Sequence, residues 1–187
     1  EHVEDATLLS SIQFFVTNSL EHKKTQERLY KLCYIDMLTG LFNRNRYVED
    51  LSGWEKGTLR EIGGIYMDLN GLKHCNDRFG HEAGDALIRR TADALNEVFP
   101  GEGYRIGGDE FALIVNGAVT EGFCKSRVEK IKAAIREPYR LQDAEVQVGT
   151  SCGCAVYPCD SDDVRAIRIL ADHRMYEDKQ RSGRSCE

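Results

Sequence analysis

Tyr104-Arg-Ile-Gly-Gly-Asp-Glu-Phe-Ala-Leu-Ile-Val115 reads as two strands joined by a tight turn. Residues 103–106 and 111–115 are rich in aromatic and β-branched side chains, and the Gly107-Gly108 pair between them offers the backbone freedom of a hairpin. Two acids, Asp109 and Glu110, therefore stand at a hairpin tip. Adjacent strand residues point to opposite faces, so the pair is either a solvated acidic tip or, if the turn curls, two oxygen donors for a cation. The rest of the chain favours the second reading.

The chain has 187 residues, 41% of them hydrophobic and 30% charged, which suits one domain of about 150 residues plus an appendage. No apolar run reaches the ~18 residues of a spanning helix, and the first residues lack the pattern of a signal peptide, so a cytoplasmic location without direct membrane contact is expected. A net charge of −6 argues against a nucleic-acid surface while leaving room for a small anionic ligand. The seven cysteines follow no disulfide framework; Cys152, Cys154 and Cys159 are the densest group, but a fourth zinc ligand is missing nearby.

Along the chain, Leu8, Leu9, Ile12, Phe15, Val16 and Leu20, then Leu29, Leu32, Cys33 and Ile35, recur at helical spacing with no Pro or Gly before Gly40. Residues 1–35 are predicted as one long helix, or two, standing outside the domain with an apolar stripe to be covered; the plainer alternative is a terminal helix packed on its own domain. The helix is expected to end near Thr39-Gly40, with Asn43 capping the next one and residues 52–59 as loop. Residues 62–69 form a short apolar run, read as a buried central strand that delivers Asp68 at its end. A buried carboxylate needs a partner or ligand. Asn70-Gly71-Leu72-Lys73 then opens a helix whose free N–H groups and lysine suit a phosphate. A second loop is expected over 76–81, a helix from Glu82 to Pro100-Gly101, another over 119–136, a strand over 146–157 and a last helix over 162–181. Strands interleaved with helices around a hairpin predict an α+β fold, an α/β sandwich with a mostly antiparallel central sheet flanked by helices and an N-terminal helical stalk.

Four motifs in order resemble the GGDEF family of diguanylate cyclases: Asp36-x-Leu-Thr-Gly-Leu-x-Asn-Arg44; Asp68 with Lys73 and Asn76-Asp77-x-x-Gly-His81-x-x-Gly-Asp85; Arg105-x-Gly-Gly-Asp-Glu-Phe111; and Ala171-Asp172 with Tyr176 and Lys179. The resemblance covers residues 36–184 and implies a domain over 36–187 that joins two GTP into cyclic di-GMP. It implies two Mg²⁺ or Mn²⁺ per active site, about 4 Å apart, held by Asp68, the Leu69 carbonyl and Asp109, with Glu110 beside them. Asp109 is the implied proton acceptor, and Lys73 and the N–H groups of Asn70, Gly71 and Leu72 are implied to hold the phosphates. Asn76 and Asp85 would read guanine, with His81 at the same loop, and Arg105, Lys179 and Arg184 complete the implied substrate set. Each half of the reaction needs its own GTP, so the family's activity requires a two-fold homodimer, and residues 1–35 become the coiled-coil end of an upstream sensor region.

Three departures stand out. Asn70 replaces a second Asp. Lys179-Gln-Arg-Ser-Gly-Arg184 is one residue longer than the usual Lys-x-x-Gly-Arg, which leaves Arg181 and Arg184 both open as triphosphate contacts. The inhibitory product site that many relatives carry as Arg-x-x-Asp falls on Val98-Phe99-Pro100-Gly101, which has neither charged group, so no feedback site is expected there.

Overall fold

The computed structural model describes residues 2–56, 62–117, 119–141, 144–146 and 148–183. Its elements, in order, are α1 (His2–Tyr34), β1 (Phe42–Asn43), α2 (Arg44–Lys56), β2 (Ile62–Asn70), α3 (Leu72–Phe79), α4 (His81–Val98), β3 (Gly103–Arg105), β4 (Glu110–Asn116), α5 (Glu121–Arg136), β5 (Tyr139–Leu141), β6 (Ala144–Val146), β7 (Gly149–Tyr157) and α6 (Val164–Gly183). The main sheet has the order β1-β3-β4-β2-β7, and only its β1–β3 pair is parallel. The α+β sandwich with a mostly antiparallel sheet is thus the observed fold.

The period-2 pattern of the central strands assigns their two faces. Ile65, Met67 and Leu69 of β2, with Phe111, Leu113 and Val115 of β4 and Cys152, Cys154 and Val156 of β7, pack against Leu87, Leu95, Ile131 and Ile135 of α4 and α5. The alternate residues Tyr66, Ala112, Ile114 and Ala155 pack against Tyr47, Ile167, Ala171 and Met175 of α2 and α6. Asp68 is two residues on from Tyr66 and so lies on the α6 side of the sheet. Gly153 lets α6 come this close. A Cβ there would stand 2.1 Å from the Ala171 carbonyl oxygen and 2.2 Å from the Met175 nitrogen.

Helix α1 is a single helix of 33 residues, roughly 50 Å long at 1.5 Å per residue. Phe14 and Phe15 are each 74% exposed, and Val16, Leu20, Leu29 and Leu32 are exposed as well, which contradicts the packed-terminal-helix alternative for this stripe. The helix stops at Tyr34 rather than at Thr39-Gly40. Asp36 makes the difference: its Oδ1 accepts from the Thr39 N–H (3.0 Å) and hydroxyl (2.7 Å), folding 36–40 into a turn that Gly40 closes at φ 73°. Asn43 then works in both directions. Its Oδ1 caps α2 by accepting from Asn45 N (2.9 Å) and Arg46 N (3.2 Å), while its Nδ2 donates to the Cys33 carbonyl at the end of α1 (2.9 Å).

Other boundaries differ from the sequence reading. Residues 52–56, expected as loop, continue α2; residues 57–59 of that expected loop lie outside the described residues. Residues 76–79, expected as loop, complete α3, and the break to α4 falls at Gly80, whose φ of 85° halts one helix before the next begins. The strand expected over 146–157 divides, because Val146 belongs to a separate β5–β6 hairpin and the sheet strand begins at Gly149. Burial pushes the Cys152 thiol up to about 12, so it stays protonated, and no cluster of three metal-ligating side chains occurs among the described residues.

Candidate active site

Strand register brings the acids together. Asp68 on β2 is the direct antiparallel partner of Glu110 on β4, so their side chains leave the same face of the sheet. The Leu69 N–H donates to the Asp109 carbonyl at 2.9 Å, which pins the hairpin tip beside the end of β2. Asp68 is 6% exposed, and its Oδ1 accepts from the Lys179 ammonium of α6 at 2.7 Å. The Glu110 side chain folds back over Gly107, where a Cβ would stand 2.6 Å from its Oε2.

Beyond Asp68 the chain turns through Gly71, at φ 83°, into α3 with no side-chain cap on its first N–H groups. A cleft of about 650 Å³ is lined by Leu69, Asn70, Gly71, Leu72, Lys73 and Asp109 together with Arg136, Gly149, Thr150, Lys179 and Ser182. Uncapped N–H groups at the start of α3, with Lys73 and Lys179, give this cleft the donors that suit an anionic ligand.

Asn76, His81 and Asp85 lie away from this cleft, on α3 and α4. Asn76 Oδ1 is buried and has no hydrogen-bond partner. It lies against Gly84, where a Cβ would fall 1.9 Å from that oxygen. Asp85, the next residue after Gly84, is half-buried.

Arg105 is placed differently from the expectation that it binds substrate. Its Nη1 donates to Asp36 Oδ1 (3.1 Å) and Oδ2 (3.3 Å), and its Nη2 donates to the Gly108 carbonyl (2.9 Å). It therefore ties the turn after α1 to the acidic hairpin. Burial raises the Asp36 carboxyl, but the bonds from Thr39 and Arg105 outweigh it and hold the group below its ordinary value. A depressed carboxyl contributes stability above its unfolded pKa and loses it as pH falls through the folded value. Acidification should therefore loosen the hairpin tip in the wild type, by about 1 kcal/mol for a partly solvated charged pair, whereas Asp36→Asn should show a looser tip with no such pH step. Amide exchange at Gly107 and Leu69, whose N–H groups donate to the Glu110 and Asp109 carbonyls, measures this, and identical profiles for the two proteins would refute it.

Sequence reasoning missed the supports from β7. Thr150 Oγ1 donates to the Asp68 carbonyl at 2.9 Å, and the Asn70 amide pairs with Ser151 Oγ at 2.8 Å. These contacts span more than 80 residues, and no local pattern announces them. Arg181 lies with Glu177 of the preceding turn at 3.7 Å, and neither lines the cleft; Arg184 lies outside the described residues. At the expected vestige of a product site, Phe99 is buried in the core, with its ring 6.3 Å from that of Phe123.

The fold and cleft define an α+β domain in which an acidic hairpin lies beside a cleft lined by lysines and an N–H-rich turn. The chain belongs to the GGDEF family: the profile of "Diguanylate cyclase, GGDEF domain" matches residues 33–185. It is 31% identical over 180 residues to the signaling protein YkoW of Bacillus subtilis, covering 93% of this chain and 22% of that protein. It is also 31% identical over 167 residues to the bifunctional diguanylate cyclase/cyclic di-GMP phosphodiesterase MucR of Pseudomonas aeruginosa, covering 86% of this chain and 24% of that one. The chain thus spans about a quarter of the length of these curated relatives. In structure it is similar to the coiled coil and GGDEF domain of DgcB from Caulobacter crescentus, with a TM-score of 0.79 at 22% identity, covering 92% of this chain and 94% of that one. That likeness includes the helical extension. No helix among the described residues is long and apolar enough to cross a membrane.

Proposed function

We propose that the domain condenses two GTP into cyclic di-GMP with release of two pyrophosphates, each of two domains in a two-fold dimer presenting one GTP to the other. The observation that carries the reading is the antiparallel pairing of Asp68 with Glu110 together with the Leu69 N–H bond to the Asp109 carbonyl, which holds the acidic hairpin beside the end of β2 and the cleft that Leu69 and Asp109 line.

The donor set suits Mg²⁺ or Mn²⁺. Its members are oxygens, Asp68 is a desolvated carboxylate already matched to a cation in Lys179, and magnesium is typically held by one or two carboxylates completed by water and substrate phosphates. Asp68, Asp109 and the Leu69 carbonyl would hold it, with Glu110 adjacent; when bound, two such ions acidify a hydroxyl and neutralise phosphate charge. The chain's own groups do the rest. The N–H groups of 70–72 and the Lys73 ammonium fix the phosphates, and Asp109 accepts the proton of the ribose 3′-hydroxyl presented by the partner's GTP. The 3′-oxygen forms a bond to the α-phosphorus as the bond to pyrophosphate breaks, and Lys73 stabilises the charge on the departing oxygens. Asn76 and Asp85 receive the guanine, whose N1–H and 2-amino donors match an acceptor pair in a way adenine does not.

Helix α1 supplies the dimer contact, and an upstream sensor region would act through it. Its exposed apolar stripe has the spacing of a partner-seeking helix. Deleting residues 1–30 should lower activity at dilute protein and leave it recoverable at high concentration, because the helix raises the local concentration of half-sites without touching the chemistry. Initial rates measured across a dilution series test this; equal rates for both proteins at every dilution would contradict it. A second reading, a silent domain that binds nucleotide or a partner, would need the acidic cluster to be broken, and Asp68, Asp109, Glu110 and Lys73 are all present.

A further inference from the structure

The row of the sheet that pairs Glu110 with Asp68 carries a third polar group. Ser151 of β7 is the register partner of Asp68 on its other side, so all three side chains leave the same face. Ser151 is completely buried, and a hydroxyl taken out of water there requires a partner. Asn70 supplies it. The Asn70 Nδ2 donates to Ser151 Oγ at 2.8 Å, and that hydroxyl donates to Asn70 Oδ1 at 3.2 Å. Because β7 and β4 flank β2 on opposite sides, the pair turns the Asn70 carboxamide toward β7 and away from the acidic hairpin. A Cβ on Gly149 would lie 3.8 Å from Asn70 Nδ2, which places the carboxamide over the start of β7.

Asn70 is where the strand becomes the turn. It is the last residue of β2, and Gly71 follows at φ 83° before α3 begins without a side-chain cap. A glycine imposes little on the backbone around it, so the aim of the N–H groups at 70–72 is set from the two ends of the turn. At one end the Cys75 N–H donates to the Gly71 carbonyl at 3.0 Å. At the other, the ladder to Gly149 and the Asn70–Ser151 pair hold residue 70. Asn70, Gly71 and Leu72 line the cleft, whereas Ser151 lies behind them.

We infer that Ser151 is a positioning residue for the nucleotide: through Asn70 it fixes the turn at 70–72, so that the N–H groups of the turn are already aimed when the phosphates arrive. The inference rests on the reading of the cleft as a GTP site. Without the pair, the turn has to be ordered on binding, and that cost falls on affinity.

Binding of 3′-deoxy-GTP with Mg²⁺, which lacks the attacking hydroxyl and so cannot react, is to be measured by calorimetry for the wild type, Ser151→Ala, Asn70→Ala, the double variant and Thr91→Val. Asn70 is half-buried, so Asn70→Ala breaks the same pair from outside the core. Thr91 is a buried hydroxyl on α4 that donates to the Leu87 carbonyl at 2.9 Å, and it controls for the loss of such a group away from the cleft. Ser151→Ala should raise Kd about fivefold, the scale of one neutral hydrogen bond, with the stoichiometry of binding unchanged. Asn70→Ala should lose at least as much, and the double variant no more than Asn70→Ala alone, because Ser151 acts through Asn70. Thr91→Val should bind as the wild type does. Wild-type Kd in Ser151→Ala, a fall in stoichiometry at unchanged Kd, losses that multiply in the double variant, or an equal loss in Thr91→Val would each overturn the inference while leaving the GTP site standing. Failure of the wild type to bind 3′-deoxy-GTP at all would overturn both.

Discussion

Asp109→Ala and Asp68→Ala should each lower cyclic di-GMP formation by about 10²–10³-fold or more, the scale seen when one preorganised electrostatic group is removed from a reacting centre. Neither residue belongs to the apolar core clusters: Asp109 lines the cleft, and Asp68 is buried beside it against Lys179. Asp109 is only half-buried, so its loss leaves thermal unfolding nearly unchanged. Asp68 has more structural company, through its ion pair with Lys179. That lysine is about half exposed and regains water when its partner goes, so the stability loss stays near 1 kcal/mol, as for other partly solvated pairs. The expected signature is a folded protein with the wild type's unfolding transition and almost no product. Turnover near the wild-type rate in either variant would remove the carboxylate cluster from the chemistry.

The second large effect concerns the base. Asp85→Ser should reduce the preference for GTP over ATP by about 1–3 kcal/mol, roughly 5- to 150-fold, because guanine's donors would be left unpaired on binding. Asn76→Ala should act in the same direction, since its buried Oδ1 has no partner within the protein and Gly84 leaves no room for a side chain beside it. Competition of GTP with ATP, measured as relative kcat/KM, gives the result directly. Discrimination unchanged by either substitution would place the guanine elsewhere.

Local chemistry made much of this legible. The apolar run at 62–69 and the hairpin around Gly107-Gly108 were readable from periodicity and turn residues, and both are strands where that reading put them. Boundaries slipped where a single side chain redirected the backbone, as Asp36 does at the end of α1 and Gly80 does between α3 and α4. Long-range pairing was the larger blind spot. The motif that holds Arg105 suggested a substrate contact, and only the fold shows its guanidinium against Asp36, 69 residues away in sequence. Thr150 and Ser151 reach Asp68 and Asn70 through sheet pairing, which leaves no mark in their own neighbourhoods. The placement of Glu110 opposite Asp68 was likewise invisible locally, since it depends on how β2 meets β4.

The most direct test of the central claim is incubation of the purified chain with GTP and Mg²⁺ at high protein concentration, with chromatography of the nucleotides and assay of pyrophosphate. The account predicts a cyclic dinucleotide of two guanylates, two pyrophosphates released per molecule formed, and a rate that falls more steeply than protein concentration on dilution. GTP recovered intact at every protein concentration, from a chain that binds 3′-deoxy-GTP with Mg²⁺, would contradict it and identify the domain as a nucleotide-binding module instead.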